Sequence, residues 1–380
     1  MTTASSVVSA EPGFGRLEPL VESFDAAVQA AGAVEERDVW LAGEVVRIRS
    51  PYPEMLQRLC RAFAHLALPE PAPSPALVVN LWDAASGAPA PPLPHTSGDE
   101  PPGAFFYCRT DELRAAFRLG TSGDPRLLAI YPDAPTPALS VLEHGSRRAW
   151  YWVADAQRIP YWEQSTPLLY LLDWWLRERG MQLLHAAAVG TAAGGVLLVG
   201  KGGSGKSTVA LSVLGTEPEV AGGDLLYASD DYVAVSGGAE PAVYSLYNSG
   251  KLMQDHVERL PFLLDALANA DRLAFEKAVV YVHERWPGKV TAGFPLRAIV
   301  LPRVTPGLGE ARFHEASPAA AFRALVPSTV FQMHTRGQDS LVRARRLLER
   351  VPSYLLELGS DFESIPRAVA GLLATLGGGG

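Results

Sequence analysis

Cysteine is scarce in this sequence, which has only Cys60 and Cys108 among its 380 residues. Two cysteines at such irregular positions exclude a disulfide-stabilised scaffold and a cysteine-based zinc site. One disulfide between them is an alternative, but two reduced thiols in a folded core fit the spacing better. We therefore expect the fold to depend on packing rather than on cross-links.

Positive charge is also limited, which narrows the choice of partners. The 33 Lys and Arg residues are outnumbered by 41 Asp and Glu residues, giving a formal net charge of -8, and no block of basic residues occurs. Proteins that bind nucleic acid through phosphate contacts need clustered basic side chains. We therefore expect no nucleic-acid partner, although a local basic patch at a small phosphate site fits this composition.

Long apolar runs are missing as well. The nearest approach to one, "LLHAAAVGTAAGGVLLVG" at 183–200, is interrupted by His185, Thr191 and paired glycines. It is more typical of two buried strands joined by a turn than of a membrane helix. The first residues have neither the basic start nor the apolar centre of a signal peptide. We expect a cytoplasmic protein with no membrane partner.

The composition is that of an ordinary globular protein, with 48% hydrophobic and 19% charged residues. The chain is long enough for two domains. We predict a flexible arm at 1–16, a smaller α+β domain at 17–178, a P-loop domain at 179–375 and a disordered tail at 376–380. Within the first domain, 84–103 is rich in Pro, Gly and Ala, which predicts a loop that is either a passive insertion or a flap near a substrate.

The spacing of apolar residues predicts the main elements. Helices are predicted at 20–31, 54–66 and 167–180, and strands at 38–50, 76–83 and 149–155. Later segments alternate strand and helix in the order typical of a nucleotide-binding α/β unit: strands at 183–190 and 194–200, a helix at 207–215, and a strand with an acidic tip at 223–231. The segment at 242–252 is followed by a predicted helical stretch through Phe275, predicted strands at 277–284 and 296–304, and two predicted C-terminal helical stretches.

A glycine-rich segment after the predicted strand at 194–200 matches G-x-x-x-x-G-K-[ST] at every position. Glycines there allow backbone N–H groups to converge on phosphate oxygens at the start of the following helix. The motif predicts that Lys206 contacts the β- and γ-phosphates of ATP and that Ser207 holds Mg²⁺. The candidate nucleotide ligands are Gly200, Gly202, Gly203, Ser204, Gly205, Lys206, Ser207 and Thr208.

Asp230 and Asp231 end an apolar run, which places them at the edge of the sheet where α/β proteins bind ligands. One carboxylate could organise Mg²⁺ and the other could accept a proton from an attacking hydroxyl. Either aspartate fits either role; we place Asp231 with Ser207 at the metal, which is held through the nucleotide. Repulsion between neighbouring carboxylates would raise one pKa. The alternative is a solvated Asp-Asp turn.

Three further side chains are candidates for the same site. His185 is either a core histidine or a partner that orients one of the aspartates. Lys251 and Arg336 are candidate cations for the transferring phosphate, or else solvated surface residues. The candidate catalytic residues are therefore Asp230, Asp231, His185 and Lys206.

Three segments, "LLHAAAV", "GVLLVGKGGSGKST" and "YASDDYVAV", together resemble the catalytic domain of HPr kinase/phosphorylase. That family has a histidine strand, a Walker A loop and an Asp-Asp tip in this order on a phosphoenolpyruvate-carboxykinase-like fold. The chain is more similar to HPr-kinase-related proteins, some of which are tailoring kinases encoded with lasso peptides. The resemblance covers 183–375 well and the N-terminal half only loosely.

The resemblance implies ATP and Mg²⁺ as cofactors, an aspartate that activates a serine hydroxyl of a peptide or small protein, and a homo-oligomer. Thr208 stands where the bifunctional enzyme has an acidic residue, and its glycine- and arginine-containing signature after the Asp pair has no counterpart here. Neither phosphorylase activity nor HPr as the acceptor is therefore expected.

A kinase that phosphorylates a hydroxyl is the leading hypothesis, with tailoring of a ribosomally made peptide as its narrowest form. In that form, the N-terminal half and the Pro-rich loop would recognise the acceptor. A small-molecule kinase is the second hypothesis, and an ATPase or nucleotide sensor is the third. Release of inorganic phosphate at a rate that no acceptor changes would favour the ATPase or sensor hypothesis.

Overall fold

The computed structural model describes residues 17–91, 126–131, 136–143, 145–215, 224–330 and 338–377. Within them the chain is a mixed α/β protein whose strands form more than one sheet. The arm at 1–16, most of the Pro-rich segment, Cys108, Arg336 and the last three residues lie outside the described residues. Cys60 has no disulfide partner among the described residues, so the redox state predicted for the two cysteines stays a prediction.

The contacts within the chain divide it into two compact units, each made of several segments. The first unit contains Met1–Glu36, Ile48–Leu56 and Leu77–Ile159, and the second contains Arg37–Arg47, Gln57–Ala76 and Pro160–Gly380, as far as these ranges are described. Two early segments and residues 160–178 belong to the same unit as the glycine-rich loop. The domain bounds at 17–178 and 179–375 stay a prediction.

The N-terminal part of the chain contains α1 (Glu18–Ala31), β1 (Glu35–Leu41), β2 (Glu44–Ser50), α2 (Pro53–Cys60), a 3₁₀ turn (Arg61–Leu66), β3 (Leu77–Asp83), β4 (Arg126–Tyr131), β5 (Ala138–Glu143), β6 (Arg148–Val153) and a second 3₁₀ turn (Ala156–Arg158). The strands form one sheet in the order β1-β2-β3-β6-β5-β4. In α1, Leu20, Phe24 and Ala27 recur at helical spacing and are buried, and the Phe24 ring packs edge-on against Trp82 at 5.6 Å. This confirms the predicted first helix.

Two predictions in this part needed correction. The stretch at 38–50 is a hairpin rather than one strand, because Ala42 (φ 52°) and Gly43 (φ 90°) form a tight turn with positive φ between β1 and β2. The predicted helix at 54–66 changes from α2 into a 3₁₀ turn at Arg61.

The remainder of the chain contains α3 (Tyr161–Gln164), α4 (Leu169–Glu178), β7 (Gln182–Leu184), β8 (Ala187–Thr191), β9 (Gly194–Leu198), α5 (Lys206–Ser212), β10 (Leu226–Ser229), β11 (Val233–Val235), β12 (Ala242–Ser245) and β13 (Ser249–Leu252). It continues with α6 (Gln254–Val257), β14 (Ala278–Tyr281), α7 (Val282–Arg285), β15 (Gly293–Val304), β16 (Arg312–Glu315), α8 (Pro318–Val330), α9 (Gln338–Leu348), β17 (Ser353–Leu358) and α10 (Ser364–Gly377). The 3₁₀ turns are Val213–Gly215, Pro261–Ala266, Ala270–Arg272 and Pro287–Lys289.

The large sheet of the second unit has the strand order β10-β8-β9-β15-β12-β11-β7, and β17 pairs with β15 and β16. β15 runs parallel to both β9 and β17. The carboxyl ends of these three strands therefore lie together, and ligands of α/β sheets bind at that edge. The glycine-rich loop follows β9 at this edge.

The predicted strand at 183–190 is in fact two strands with different neighbours. β7 pairs with β11, whereas β8 pairs with β9 and β10. His185 lies in the link between them rather than within a strand. The helical stretch predicted through Phe275 contains only α6 and 3₁₀ turns, and the C-terminal region contains three helices and two strands where two helical stretches were predicted.

Helices cover both faces of this sheet, which explains why its central strands are apolar at successive positions. Along β9 and just beyond it, Val196 and Leu198 belong to the core that includes α5 and α10, whereas Leu197 and Val199 belong to the core that includes α8 and α9. No helix in the described part of the chain is long and apolar enough to cross a membrane.

Candidate active site

The glycine-rich loop joins β9 to α5 through a backbone conformation that requires glycine at its last turn. Gly205 precedes α5 with φ 105°, a region that L side chains rarely adopt. A Cβ placed there would also overlap Cδ1 of Leu358, the last residue of β17. The loop is therefore fixed against the sheet from behind, which directs its open side to the carboxyl edge.

Lys206 is the first residue of α5 and folds back over the loop. Its Nζ donates hydrogen bonds to the carbonyl oxygens of Gly200 at 2.8 Å and of Lys201 at 3.4 Å. The side chain is almost fully buried. Burial lowers the pKa of Lys206, and the negative charges of Asp230 and Asp231 act in the opposite direction, which places its ammonium group within electrostatic reach of both carboxylates.

Asp231 is held as an anion by two basic side chains. Its Oδ1 lies 2.8 Å from Nε2 of His185, and its Oδ2 lies 2.9 Å from Nζ of Lys251. Burial acts to raise the pKa of Asp231, but the charge of Lys251 and the hydrogen bonds from both partners outweigh it and hold the pKa well below its usual range. Both oxygens of Asp231 are thus engaged, which does not favour the metal role predicted for it.

Asp230 is in the opposite electrostatic situation. It is 2% exposed, and its Oδ2 accepts a hydrogen bond from the backbone N–H of Lys251 at 2.7 Å. Burial, reinforced by the charge of Asp231, raises the pKa of Asp230 to about 6, against the lowering influence of Lys251 N–H, the Ser207 hydroxyl and Lys206. Its Oδ1 is buried and has no hydrogen-bond partner among the described residues.

The two aspartates are therefore adjacent in sequence but differ in protonation. A pair of carboxyl groups whose pKa values are pushed apart is the usual arrangement for dividing proton transfer and charge stabilisation between two residues. The pKa of Asp231 is lowered, whereas that of Asp230 is raised to about 6, so Asp230 is the weaker acid of the pair. The basic neighbours of Asp231 decide which of the two carboxyl groups stays ionised.

His185 lies beside the aspartate pair, as its functional interpretation predicted. The link between β7 and β8 carries it, and its ring also lies 5.1 Å from the ring of Tyr232. Its Nδ1 is buried without a hydrogen-bond partner among the described residues. The bond from Nε2 to Asp231 thus fixes the orientation of both groups.

Lys251 is on β13, and the structure places it against Asp231 rather than free in the loop region. Besides Asp231, its Nζ contacts the carbonyl oxygen of Trp162 at 3.2 Å and Oγ1 of Thr166 at 3.3 Å. Nothing in the sequence pattern pointed to Trp162 or Thr166, because they are more than 80 residues from Lys251 and form no motif with it. Arg336 lies outside the described residues, and its role stays a prediction.

Buried hydrogen bonds support the strands that carry these residues. The Asn248 side-chain amide donates to the carbonyl oxygens of Arg61 at 2.9 Å and of Ala62 at 2.8 Å. The hydroxyl of Ser249 donates to the carbonyl oxygen of Ser165. Asn248 and Ser249 are therefore buried anchors of β13.

His65 also stabilises β10, through two successive hydrogen bonds. Its Nε2 lies 2.7 Å from the Ser245 hydroxyl, which itself donates to the carbonyl oxygen of Ala228, two residues before Asp230. Since the serine proton is used, Nε2 of His65 must be the donor in the first bond. Burial lowers the pKa of His65 to about 3, so it is neutral at physiological pH.

The residues at this edge fit a magnesium nucleotide. Backbone N–H groups of a glycine-rich loop and an adjacent lysine suit phosphate, and hydroxyl and carboxylate oxygens are the ligands that Mg²⁺ prefers. Ser207 and the unpartnered Oδ1 of Asp230 supply such oxygens close together. The buried Ser204 hydroxyl, also unpartnered among the described residues, is a further polar group in the loop.

Comparison with known proteins finds a distant structural likeness. No protein-family model matches the chain, and no curated protein matches it. Among solved structures, the chain is similar to the Hpr(Ser) kinase/phosphatase from Coxiella burnetii, with a TM-score of 0.29 and 10% sequence identity over 52% of this chain and 99% of that chain. A likeness this distant says nothing about the chemistry of this chain.

Proposed function

We propose that this protein is an ATP-dependent phosphotransferase that phosphorylates a hydroxyl group. One observation carries the proposal. Two adjacent carboxyl groups near the lysine of the glycine-rich loop differ in their partners and in their pKa. Asp231 is paired with His185 and Lys251, whereas Asp230 keeps one unpartnered oxygen and a pKa of about 6. A group with that pKa accepts a proton effectively near neutral pH.

Each side chain then has a defined task. The loop and Lys206 bind and orient the phosphates, and Ser207 holds the magnesium ion. The magnesium nucleotide, when bound, supplies the phosphoryl group. Asp230 orients the acceptor hydroxyl and takes its proton at Oδ1, while the anionic Asp231 keeps Lys251 and His185 in place. The metal role first predicted for Asp231 is not part of this proposal, because both of its oxygens are engaged by His185 and Lys251.

The motif resemblance supports serine in a peptide or small protein as the acceptor. Tailoring of a ribosomally made peptide is the narrowest form of that proposal and rests on the resemblance alone. A small-molecule hydroxyl is the alternative acceptor for the same chemistry.

The proposal is tested by incubating the full chain with Mg²⁺, labelled ATP and a panel of serine-containing peptides. Mass spectrometry then detects the gain of a phosphate group on a peptide. Lys206→Ala should weaken nucleotide binding, whereas the matched control Lys201→Ala, an exposed loop lysine whose side chain carries none of the described loop bonds, should not. Asp230→Asn should bind ATP normally and lose transfer by about 10²-fold or more.

Two results would contradict this function. The first is steady release of inorganic phosphate at an enzyme-like rate that no acceptor changes, which would indicate an ATPase or sensor. The second is near-normal transfer by Asp230→Asn, which would remove the proposed base.

A further inference from the structure

A cavity lies in the same unit as the candidate active site but at the other end of two strands that lead to that site. It encloses about 570 Å³. β7 and β11 are antiparallel, with Val233 opposite Leu184 and Val235 opposite Gln182. Gln182 and Val235 line the cavity, whereas the opposite ends of both strands lead into His185 and Asp231. Val235 is four positions after Asp231, so their Cα atoms lie no more than about 14 Å apart.

The cavity wall is rich in arginine. Arg179, Arg343, Arg346 and Arg350 line it, and Asp339 is the one acidic side chain in the lining. The charge of Arg179 is balanced by Glu44, whose Oε2 lies 2.9 Å from its Nε. The other three arginines have no ion-pair partner among the described residues, so the wall carries a net positive charge within a chain whose net charge is -8.

Backbone carbonyl groups hold two of these arginines without cancelling their charge. Nη1 of Arg350 donates to the carbonyl oxygens of Gly237, at 2.6 Å, and Gly238. Nη1 of Arg343 lies 3.4 Å from the carbonyl oxygen of Met181. Arg346 makes no hydrogen bond or ion pair with any described residue and is exposed. Its guanidinium is therefore available to a ligand.

Two of the three charges lie on one helix. Arg343 and Arg346 are three residues apart in α9, the spacing at which helical side chains are neighbours, whereas Arg350 follows the end of that helix at Leu348. Like charges that are neighbours on a helix destabilise it. A fourth arginine, Arg345, is turned elsewhere: it pairs with Glu349 at 2.8 Å and does not line the cavity.

We propose that this cavity binds a compact small-molecule anion with two or more carboxylate or phosphate groups, independently of the glycine-rich loop. The planar guanidinium group matches both kinds of oxyanion, because it donates two parallel hydrogen bonds to either. A volume of about 570 Å³ lies in the range of small-molecule sites. This site is additional to the proposed kinase function and does not depend on it.

Isothermal titration calorimetry in magnesium-free, low-salt buffer tests the proposal with two probes, citrate and pyrophosphate. The Lys206→Ala background is used so that pyrophosphate does not report on the glycine-rich loop. Arg346→Gln should weaken binding by about tenfold, as expected for the loss of one charge-assisted contact. The Arg343→Gln/Arg346→Gln double variant should weaken it further. Arg345→Gln, the matched control on the same helix, should change affinity by less than about twofold.

The two probes separate the sources of the anion. Stronger binding of citrate indicates a carboxylate ligand, stronger binding of pyrophosphate indicates a phosphate ligand, and either result supports the site. Arg346→Glu, at an exposed position without a hydrogen bond or ion pair to any described residue, should abolish binding while circular dichroism and the Tm remain those of the parent protein. The proposal is wrong if neither probe binds the parent protein, or if Arg345→Gln and Arg346→Gln reduce affinity equally.

Discussion

Nε2 of His185 lies 2.8 Å from Oδ1 of Asp231 and connects the link before β8 to the residues that follow β10. Together with Lys251, this contact keeps Asp231 ionised. The permanent charge of Asp231 then adds to burial in raising the pKa of Asp230. The pKa of the proposed base, Asp230, therefore depends on His185 and Lys251, whose side chains do not contact it.

The rate of phosphoryl transfer should follow the ionisation of Asp230. Because its carboxylate must be free to accept a proton, kcat/KM should be constant at high pH and fall about tenfold per unit below the pKa of about 6. A pH series from 5 to 8 with a fixed acceptor measures this limb. A rate that does not change over that range would exclude Asp230 as the titrating base.

The free energy of unfolding should also depend on the ionisation of Asp230. Ionisation, which transfer requires, should lower this free energy. The pKa of Asp230 is raised from 3.8 to about 6 on folding, so the folded state binds this proton more tightly than the unfolded state. Its ionisation therefore costs stability as the pH rises from about 4 to 6, by up to about 3 kcal/mol. Asp230→Asn should raise the free energy of unfolding above pH 6, and the gain should disappear below pH 4.

Asp231→Asn provides the contrast for that experiment. The pKa of Asp231 is lowered on folding, so the stability it provides is present above its unfolded value of 3.8 and is lost as the pH falls toward the folded value. Asp231→Asn should therefore destabilise the protein at neutral pH. Chemical denaturation at pH 4 and pH 7.5 distinguishes the two variants, and equal shifts of the same sign would contradict the assignment.

Lys251 should act through the charge of Asp231. Lys251→Met removes the cation 2.9 Å from Asp231, leaving a more negative neighbourhood for Asp230. The upper apparent pKa of the coupled pair should then rise, and the acid limb of kcat/KM should move to higher pH. Lys251→Arg, which keeps the charge, should restore most of the original profile. If the acid limb of kcat/KM in Lys251→Met stays at the same pH, Lys251 has only a structural role.

Gly205 and Gly202 should respond differently to alanine. Gly205 has φ 105°, and a Cβ there meets Leu358, whereas Gly202 has no atom within 4 Å of a built Cβ and no positive φ. Gly205→Ala should lower stability by about 1–3 kcal/mol and weaken nucleotide binding, because the loop must move to relieve the strain. Gly202→Ala should fold normally. Thermal unfolding and nucleotide titration of both variants check this, and equal tolerance would refute the proposed packing of the loop.

Local patterns predicted the centre of this site well. The strand before the loop, the helix that begins near Lys206, and the strand that ends at Ser229 before Asp230 all follow from short-range spacing of apolar residues. These features depend on neighbours in sequence, for which periodicity is informative. The partnership of His185 with the aspartate pair was one of two alternatives for that residue, and apolar spacing did not decide between them.

The remainder depends on contacts that sequence spacing does not encode. The split of 183–190 into β7 and β8 is decided by different strand partners, and the contacts of Lys251 with Trp162 and Thr166 join distant segments. The hairpin turn at Ala42 and Gly43 was missed because alanine rarely adopts a positive φ. Tertiary packing decided each of these features.

The hydrogen bond between His65 and Ser245 also affects how the protein is made. The two residues are 180 positions apart, and Gln57–Ala76 belongs to the second compact unit. During synthesis this early segment leaves the ribosome about 10–35 s before its partner strand, at ordinary elongation rates. Its buried polar groups have no native partner for that interval. Completion of the candidate active site is therefore a late event in the life of the nascent chain, and this segment is where a chaperone would be most useful.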